Sequence, residues 1–222
     1  MKKVLVVAVH PDDETLGCGG TLLRHKAAGD AAAWLIVTSA LTEQGYASAE
    51  VDRRAREIAA VGQEYGFSLT EQLGYPTKKL RTVGEHELID RFSRILKQWE
   101  PQIVYLPFAQ DVHGDHRVAF TTMFSALKSF RAPFVEKVYM METISETEFA
   151  PALPGKGFTP NVFVDISAVL DSKMRIMNLY SAEMGAHPFP RSVEHIRALA
   201  LHRGATCGRT FAEAFMLLKE IW

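Results

Sequence analysis

The sequence has few cysteines and no long apolar run, and its positive and negative charges nearly balance. Its 222 residues include two cysteines, Cys18 and Cys207, too few for a disulfide framework or a cysteine-rich zinc site. The net charge of -1, from 25 Lys and Arg against 26 Asp and Glu, argues against a nucleic-acid-binding protein. No run of about 18 apolar residues occurs, so we expect no membrane span.

The N-terminal segment does not have the pattern of a secretory signal. Two lysines precede a short apolar run, which leads into Pro11 and three acidic residues without a small-residue cleavage site. Together with the scarcity of cysteine, this predicts a cytoplasmic protein. Hydrophobic residues make up 47% of the chain and charged residues 23%, as in globular proteins. We expect residues 1–222 to form a single domain.

Short valine-rich runs alternate with helical patterns along the chain. Strands are predicted over residues 3–9, 32–39, 69–75, 103–108, 135–142 and 162–166. Helices are predicted over residues 15–28, 49–65, 84–99, 115–130, 167–183 and 192–203. Periodicity leaves residues 212–218 open between strand and helix. The alternation predicts an α/β fold of three layers, a mostly parallel sheet with helices on both faces, as in Rossmann-like folds.

Three glycines follow the first strand but do not indicate a dinucleotide site. Gly17, Gly19 and Gly20 lie seven or more residues beyond that strand, and no acidic residue ends the second strand. We therefore interpret them as positions where a helix packs closely on the sheet.

Histidine and carboxylate side chains gather after the first and fourth strands. Residues 10–14 read His-Pro-Asp-Asp-Glu, and residues 110–116 read Gln-Asp-Val-His-Gly-Asp-His. Functional groups of a parallel sheet meet beyond the carboxyl ends of its strands, so the two clusters would meet if strands 1 and 4 are neighbours. A structural alternative is that Asp12, Asp13 or Asp115 caps the helix that follows it.

The two clusters together contain the parts of a metal-dependent hydrolase. Three side chains match a catalytic zinc site, which leaves one position open for water: His10, Asp13 and His116. Water at such a position loses its proton near neutral pH, with Asp12 as general base. His113, kept protonated near Asp115, would stabilise an oxyanion or protonate a leaving amine. The same ligands would also suit another divalent metal.

The same residues resemble the motifs of a known family. Residues 8–14, Ala-Val-His-Pro-Asp-Asp-Glu, followed by Gly19-Gly20, resemble the signature of the PIG-L/LmbE-like zinc-dependent N-deacetylases. Residues 113–116 resemble that family's His-x-Asp-His motif, residues 54–57 its Arg-x-x-Glu segment, and residues 204–215 its C-terminal segment. The resemblance covers nearly the whole chain in order, and implies that residues 1–222 are one deacetylase domain.

The resemblance implies a zinc cofactor and the removal of an N-acetyl group from an amino sugar, which is free or linked to a nucleotide, lipid or aglycone. It is compatible with a homo-oligomer. It assigns the same roles to the same residues: zinc ligation to His10, Asp13 and His116, the general base to Asp12, the acid and oxyanion stabiliser to His113, and the tuning of that histidine to Asp115.

Two further residues are predicted to bind substrate. Arg54 would reach the mouth of the site, with a solvated helix arginine as the alternative. His187 lies in residues 185–191, which would line a sugar pocket or form a plain surface loop. Residues 42–46, after the second strand, would contact substrate hydroxyls.

Two other functions remain open at this point. One is a zinc amidase or deformylase that acts on a non-sugar amide, and the other is a metal-binding domain without turnover. The presence of both Asp12 and His113 argues against the second, because a metal store needs neither residue.

Overall fold

The computed structural model describes residues 1–222 and contains one mixed β-sheet. Its seven strands are β1 (Lys3–Ala8), β2 (Ala31–Ser39), β3 (Leu69–Pro76), β4 (Ile103–Leu106), β5 (Lys137–Met141), β6 (Val162–Asp165) and β7 (Ala212–Glu220). They lie in the order β3-β2-β1-β4-β5-β7-β6. Strands β1 to β5 are parallel, and β7 runs antiparallel to both of its neighbours.

Six helices cover the two faces of this sheet. They are α1 (Asp13–Ala27), α2 (Ser48–Tyr65), α3 (Glu85–Trp99), α4 (Gly114–Ala126), α5 (Leu170–Met177) and α6 (Val193–Cys207). Helices α3 and α4 pack on one face and the other four on the opposite face. The expected three-layer α/β fold is therefore confirmed. None of the helices combines the length and the apolar character needed to traverse a bilayer.

The apolar run of β1 follows from burial on both sides of the sheet. Val4 and Val6 contribute to the core beneath α1 and α2, whereas Leu5 and Val7 contribute to the core beneath α3 and α4. Because neither face of this central strand meets water, the sequence shows a continuous apolar run instead of alternation. This burial fixes the position of the loop that follows β1.

Several element boundaries differ from those expected. Residues 212–218, left undecided, belong to β7. Strand β4 ends at Leu106, because Pro107 has no N–H to donate to the ladder. The helix predicted over residues 167–183 begins only at Leu170. Ahead of it, the Asp165 carboxylate accepts hydrogen bonds from the backbone N–H and hydroxyl of Ser167, an Asx-type turn that delays the helix.

The glycines of α1 lie where the helix meets its neighbours. A Cβ on Gly20 would lie 2.6 Å from Cγ2 of Ile166, and one on Gly17 would lie 2.7 Å from Sδ of Met141. Contacts this short are not tolerated, so no larger side chain fits without displacing the neighbours. Close packing is therefore confirmed at these glycines, but only Gly17 packs on a strand: Gly20 meets the residue after β6, and Gly19 lies against Tyr65 of α2 and Lys173 of α5.

A buried ion pair between Lys173 and Glu213 joins α5 to β7 and α1, on the sheet face that α1 and α5 cover. Lys173 Nζ donates to Glu213 Oε1 at 2.7 Å and to the Leu16 carbonyl at 2.9 Å. The Glu213 carboxylate also accepts the backbone N–H groups of Gly20 and Thr21 at 2.8 and 2.7 Å. Every polar atom of the pair has a partner, which is the condition under which burial of two charges is tolerated.

We expect Glu213→Ala to lower the free energy of unfolding by about 3–5 kcal/mol, because it leaves the Lys173 ammonium buried without its counter-ion. Urea denaturation followed by circular dichroism measures this loss. The control is Glu136→Ala, which removes an exposed pair with Lys2 and should leave the midpoint nearly unchanged. Equal midpoints for the two variants would show that the buried pair does not stabilise the fold.

Candidate metal and catalytic site

The two His/Asp clusters meet at one edge of the sheet. Strands β1 and β4 are hydrogen-bonded neighbours, with Val4 paired to Ile103 and Val6 to Tyr105. Their carboxyl ends open into a cavity of about 360 Å³, in which only 3 of the 17 lining residues are hydrophobic. The cavity therefore lies where the topology of a parallel sheet places functional groups.

Three side chains can hold a metal ion here: His10 and Asp13 line the cavity, and His116 is buried beside Asp13. The donor atoms of His10, Asp13 and His116 all lie within 4.8 Å of one another. His116 Nε2 lies 3.3 Å from Asp13 Oδ2, and this nitrogen and His10 Nε2 are buried without a hydrogen-bond partner. Two orphaned imidazole nitrogens beside a carboxylate fit the donor preference of zinc and similar divalent ions. His10, His113 and Asp115 form a second set within the same distance.

The Asp13 carboxylate is held in position by the chain before it. Its Oδ2 accepts the backbone N–H groups of Val9 and His10 at 2.8 and 2.9 Å. Burial opposes its ionisation, but the charge of His116 and these hydrogen bonds hold the pKa of Asp13 well below its usual value. Asp13 is therefore a carboxylate at neutral pH, as a metal ligand must be, and its side chain does not cap α1.

His116 is oriented by a residue to which the sequence analysis gave no role. Its Nδ1 lies 2.8 Å from Oδ2 of Asp111, and the other oxygen of Asp111 accepts the Thr147 hydroxyl at 2.7 Å. Asp111 is fully buried, and its carboxylate holds the N–H at Nδ1 of His116, which leaves Nε2, facing Asp13, as the nitrogen that would bind a metal. The signal in the sequence was an acidic residue five positions before a ligand histidine.

We expect Asp111→Asn to weaken metal affinity by about 10- to 100-fold, since loss of a carboxylate partner reduces the basicity and orientation of a ligating histidine. Competition with a chelating dye measures the change. Thr147→Val, which removes only the hydroxyl that contacts Asp111, serves as the control and should cost less. If Asp111→Asn bound the metal as tightly as the wild type, His116 would not depend on Asp111 for metal binding.

Asp12 faces the cavity with an unusual backbone conformation. Its φ is 136°, a region that non-glycine residues rarely occupy, and its side chain makes no capping hydrogen bond to α1. Burial, followed by the charges of Asp13 and Glu183, raises the pKa of Asp12 well above its usual value. Asp12 also lines the cavity, where a general base would be placed.

His113 differs from its expected protonation state. Its Nδ1 accepts the backbone N–H of Asp115 at 3.1 Å, so His113, rather than an aspartate, is the side-chain cap of α4. Burial and the charges of His10 and His116 lower the pKa of His113 to about 4. At neutral pH it is therefore uncharged, with its proton on Nε2, and acts as a hydrogen-bond donor instead of a cation.

The Asp115 carboxylate contacts a neighbouring loop and lies near His10. Its carboxylate accepts the backbone N–H groups of Lys78 and Leu80 at 2.6 and 3.0 Å, and Oδ2 lies 3.7 Å from His10 Nε2. These hydrogen bonds attach the segment after β3 to the start of α4. They place Asp115 between that segment and His10.

Of the two residues predicted to bind substrate, only Arg54 lies at the cavity. Arg54 lines the cavity, where it donates to the Pro11 carbonyl at 3.2 Å and pairs with Glu183. His187 is exposed and does not line the cavity, whereas Arg191 from the same loop does and also pairs with Glu183 at 3.2 Å. The role of His187 stays a prediction. No spacing pattern in the sequence pointed to the Glu183–Arg191 pair.

The fold and the site define an α/β protein with a histidine–carboxylate cluster, a candidate metal site, at the carboxyl end of the parallel strands. The chain belongs to the GlcNAc-PI de-N-acetylase (PIG-L) family, whose model matches residues 5–127. This membership confirms the family resemblance of the motifs.

Known relatives match the chain over its whole length. A diacetylchitobiose deacetylase from Thermococcus kodakarensis is 25% identical over 240 residues, covering 100% of this chain and 85% of that protein. The structure of a conserved protein from Thermus thermophilus matches with 28% identity and a TM-score of 0.79, covering 100% and 97% of the chains. That of 4-carboxy-2-hydroxymuconate hydratase from Pseudomonas putida matches in fold at 20% identity and a TM-score of 0.76, covering 100% and 98%.

Proposed function

We propose that the protein is a metal-dependent N-deacetylase that acts on an amino sugar. The observation that carries this proposal is the convergence of the His10, Asp13 and His116 donor atoms beside a polar cavity that Asp12 also lines. Membership of the family and the full-length similarity to a diacetylchitobiose deacetylase support the choice of reaction. Zinc is the proposed metal, because imidazole and carboxylate donors in a three-residue set suit it.

The size and the polarity of the cavity favour a sugar as the part of the substrate that carries the amide. At about 360 Å³ it has the volume of a small-molecule site, but its wall is far more polar than that of most such sites. Tyr46, Lys78 and Ser145 add hydroxyl and ammonium groups around the ligand set. A ligand rich in hydroxyl groups can satisfy these polar side chains, whereas an apolar amide would leave them without partners.

The bound metal would polarise the acetyl carbonyl and lower the pKa of water. Asp12 accepts a proton from the attacking water as the new C–O bond forms at the carbonyl carbon. His113 donates from Nε2 to the oxygen that becomes negatively charged, which is the task of a neutral imidazole with its proton on that nitrogen. Asp12 then transfers the proton to the amide nitrogen as the C–N bond breaks, and acetate and a free amine leave.

The charged groups at the mouth have a positioning role in this proposal. Glu183 binds both Arg54 and Arg191, and Arg191 also donates to the Ser145 hydroxyl at 3.0 Å. These contacts hold the two guanidinium groups in place, and their remaining N–H groups can donate to sugar hydroxyls. This assigns substrate positioning to Arg54, in agreement with its predicted role.

We further propose that residues 1–222 act as one domain. The family model ends at residue 127, but β5, β6 and β7 continue the same sheet. Ser145, Glu183 and Arg191, all beyond the matched region, line the cavity. The active site would therefore be incomplete without the C-terminal part of the chain.

The test is a substrate panel assayed for free amine and acetate. It comprises N-acetylglucosamine, its nucleotide-, lipid- and aglycone-linked forms, N-acetyl amino acids and a formylated peptide, each with metal-stripped and zinc-reloaded protein. We expect zinc-dependent release from at least one sugar and little from the non-sugar amides. Preferential turnover of a non-sugar amide would favour the amidase alternative, and zinc binding without any turnover would favour a binding domain.

A further inference from the structure

We propose that Glu14 is a positioning residue that holds Asp12 in its active conformation, an inference that rests on the proposed function through the role of Asp12. Glu14 is completely buried, and its carboxylate takes no part in the ligand set described above. Its side chain turns back toward the loop before α1. There its Oε2 accepts the backbone N–H of Asp12 at 3.1 Å.

The Pro11–Asp12 peptide is held at both of its polar ends. Its carbonyl accepts a hydrogen bond from Arg54 Nη1 at 3.2 Å, and its N–H donates to Glu14 at 3.1 Å. These two bonds fix the plane of the peptide, and the plane determines φ of Asp12. Because that φ of 136° costs conformational energy, the surrounding contacts must maintain it.

The second oxygen of Glu14 anchors the carboxylate in the core. Oε1 accepts the Thr15 hydroxyl at 2.6 Å and the Tyr180 hydroxyl at 2.9 Å, and Tyr65 in turn donates to the Thr15 hydroxyl at 3.1 Å. Both tyrosines are buried, so water does not compete for these hydrogen bonds. The Arg54 guanidinium lies 5.9 Å above the Tyr180 ring, so the two groups that bind the peptide also contact each other through Tyr180.

Donors surround both oxygens of Glu14, which makes the neutral amide an informative replacement. In Glu14→Gln one oxygen becomes an NH₂ group, which must face either the Asp12 N–H or the hydroxyl groups of Thr15 and Tyr180. In the first placement the NH₂ group meets the Asp12 N–H, donor against donor. In the second, the hydroxyl groups rotate to accept from the NH₂ group, and the Asp12 N–H binds a neutral amide oxygen, a weaker acceptor than a carboxylate. In both cases the Asp12 peptide is held less firmly at unchanged side-chain volume, while the Asp13 carboxylate keeps its bonds to Val9 and His10.

We expect Glu14→Gln to lower kcat by about 10- to 100-fold, with KM within about twofold and metal content unchanged. Glu213→Gln is the matched control, because it alters another buried carboxylate that accepts N–H groups of α1 far from Asp12. Its kcat per folded molecule should equal that of the wild type. An unchanged kcat in Glu14→Gln, or an equal loss in Glu213→Gln, would overturn the proposal.

A double variant tests whether Glu14 acts through Asp12. In an Asp12→Ala background, Glu14→Gln should cause no further loss of kcat, since the positioned group is already absent. The same fractional loss in both backgrounds would contradict the proposal. If Glu14→Gln does not fold, Tyr180→Phe removes one of the bonds that anchor Glu14 and should lower kcat by a smaller factor, and an unchanged kcat would overturn the proposal.

An NMR measurement, which needs no substrate turnover, tests the positioning role of Glu14 independently of the proposed deacetylase function. In the NMR spectrum of the wild type, the Asp12 amide proton should resonate downfield because it binds a carboxylate, and it should move upfield in Glu14→Gln. Wild-type protein that releases no acetate would refute the deacetylase proposal, while this shift would still support the contact. An amide resonance that does not move would overturn the positioning role.

Discussion

We expect Asp12→Ala to lower kcat by about 10²- to 10⁴-fold, the loss that removal of a general base causes, and to retain its metal. In the proposed mechanism the two adjacent aspartates have different roles, because the N–H groups of Val9 and His10 bind the Asp13 carboxylate whereas Asp12 lines the cavity. Removing Asp12 therefore takes away the proton acceptor without disturbing a ligand.

The measurement for Asp12→Ala pairs steady-state kinetics on the best panel substrate with metal analysis of the same sample. Asp171→Ala is the surface control, since that carboxylate pairs with Arg197 in an exposed position. We expect the control to keep its full kcat. An Asp12 variant that turns over at the wild-type rate would remove the general base from the mechanism, and one that loses the metal would make Asp12 a ligand.

We expect His116→Ala to reduce activity to the level of metal-stripped protein. The imidazole is fully buried, its Nε2 lies 3.3 Å from Asp13 Oδ2, and no hydrogen-bond partner satisfies that nitrogen. Its removal leaves two ligands, fewer than the three that a catalytic zinc site takes. It also leaves the Asp111 carboxylate buried with only Thr147 as a hydrogen-bond partner on its side chain, so stability should fall together with activity.

Metal content per folded chain tests this expectation, because it separates loss of the ion from loss of the fold. His202→Ala, in α6 and away from the cavity, is the histidine control and should retain about one ion per chain. Full metal content in His116→Ala would show that the ion binds elsewhere. The second donor set, which contains His113 and Asp115, would then become the candidate.

The sheet could be predicted from the sequence wherever strands are buried on both faces. Strands β1 and β2 read as unbroken apolar runs, and the alternation with helices predicted the layers. Strand β7 could not be predicted, because its buried Glu213 interrupts the apolar pattern. That carboxylate is stabilised by Lys173, a residue 40 positions away, and no local pattern shows such a contact.

The candidate site could be predicted only in part, because some of its contacts join residues that lie far apart in the sequence. The placement of the ligand set followed from one topological rule, that the carboxyl ends of neighbouring parallel strands meet. Glu183 lies 129 positions from Arg54, and their contact depends on how α2 and the segment after α5 pack. The uncharged state of His113 also required the structure, because burial and the charges of His10 and His116 lower its pKa.

The most direct test of the central claim is hydrolysis of an N-acetylated amino sugar in ¹⁸O-labelled water. We expect acetate and free amine in equal amounts, with one labelled oxygen in each acetate, because the mechanism adds water to the carbonyl carbon. Stripping the metal should abolish release, and zinc should restore it. Undiminished release from stripped protein, or no release from any amino sugar by protein that holds its metal, would contradict the proposed metal-dependent deacetylase.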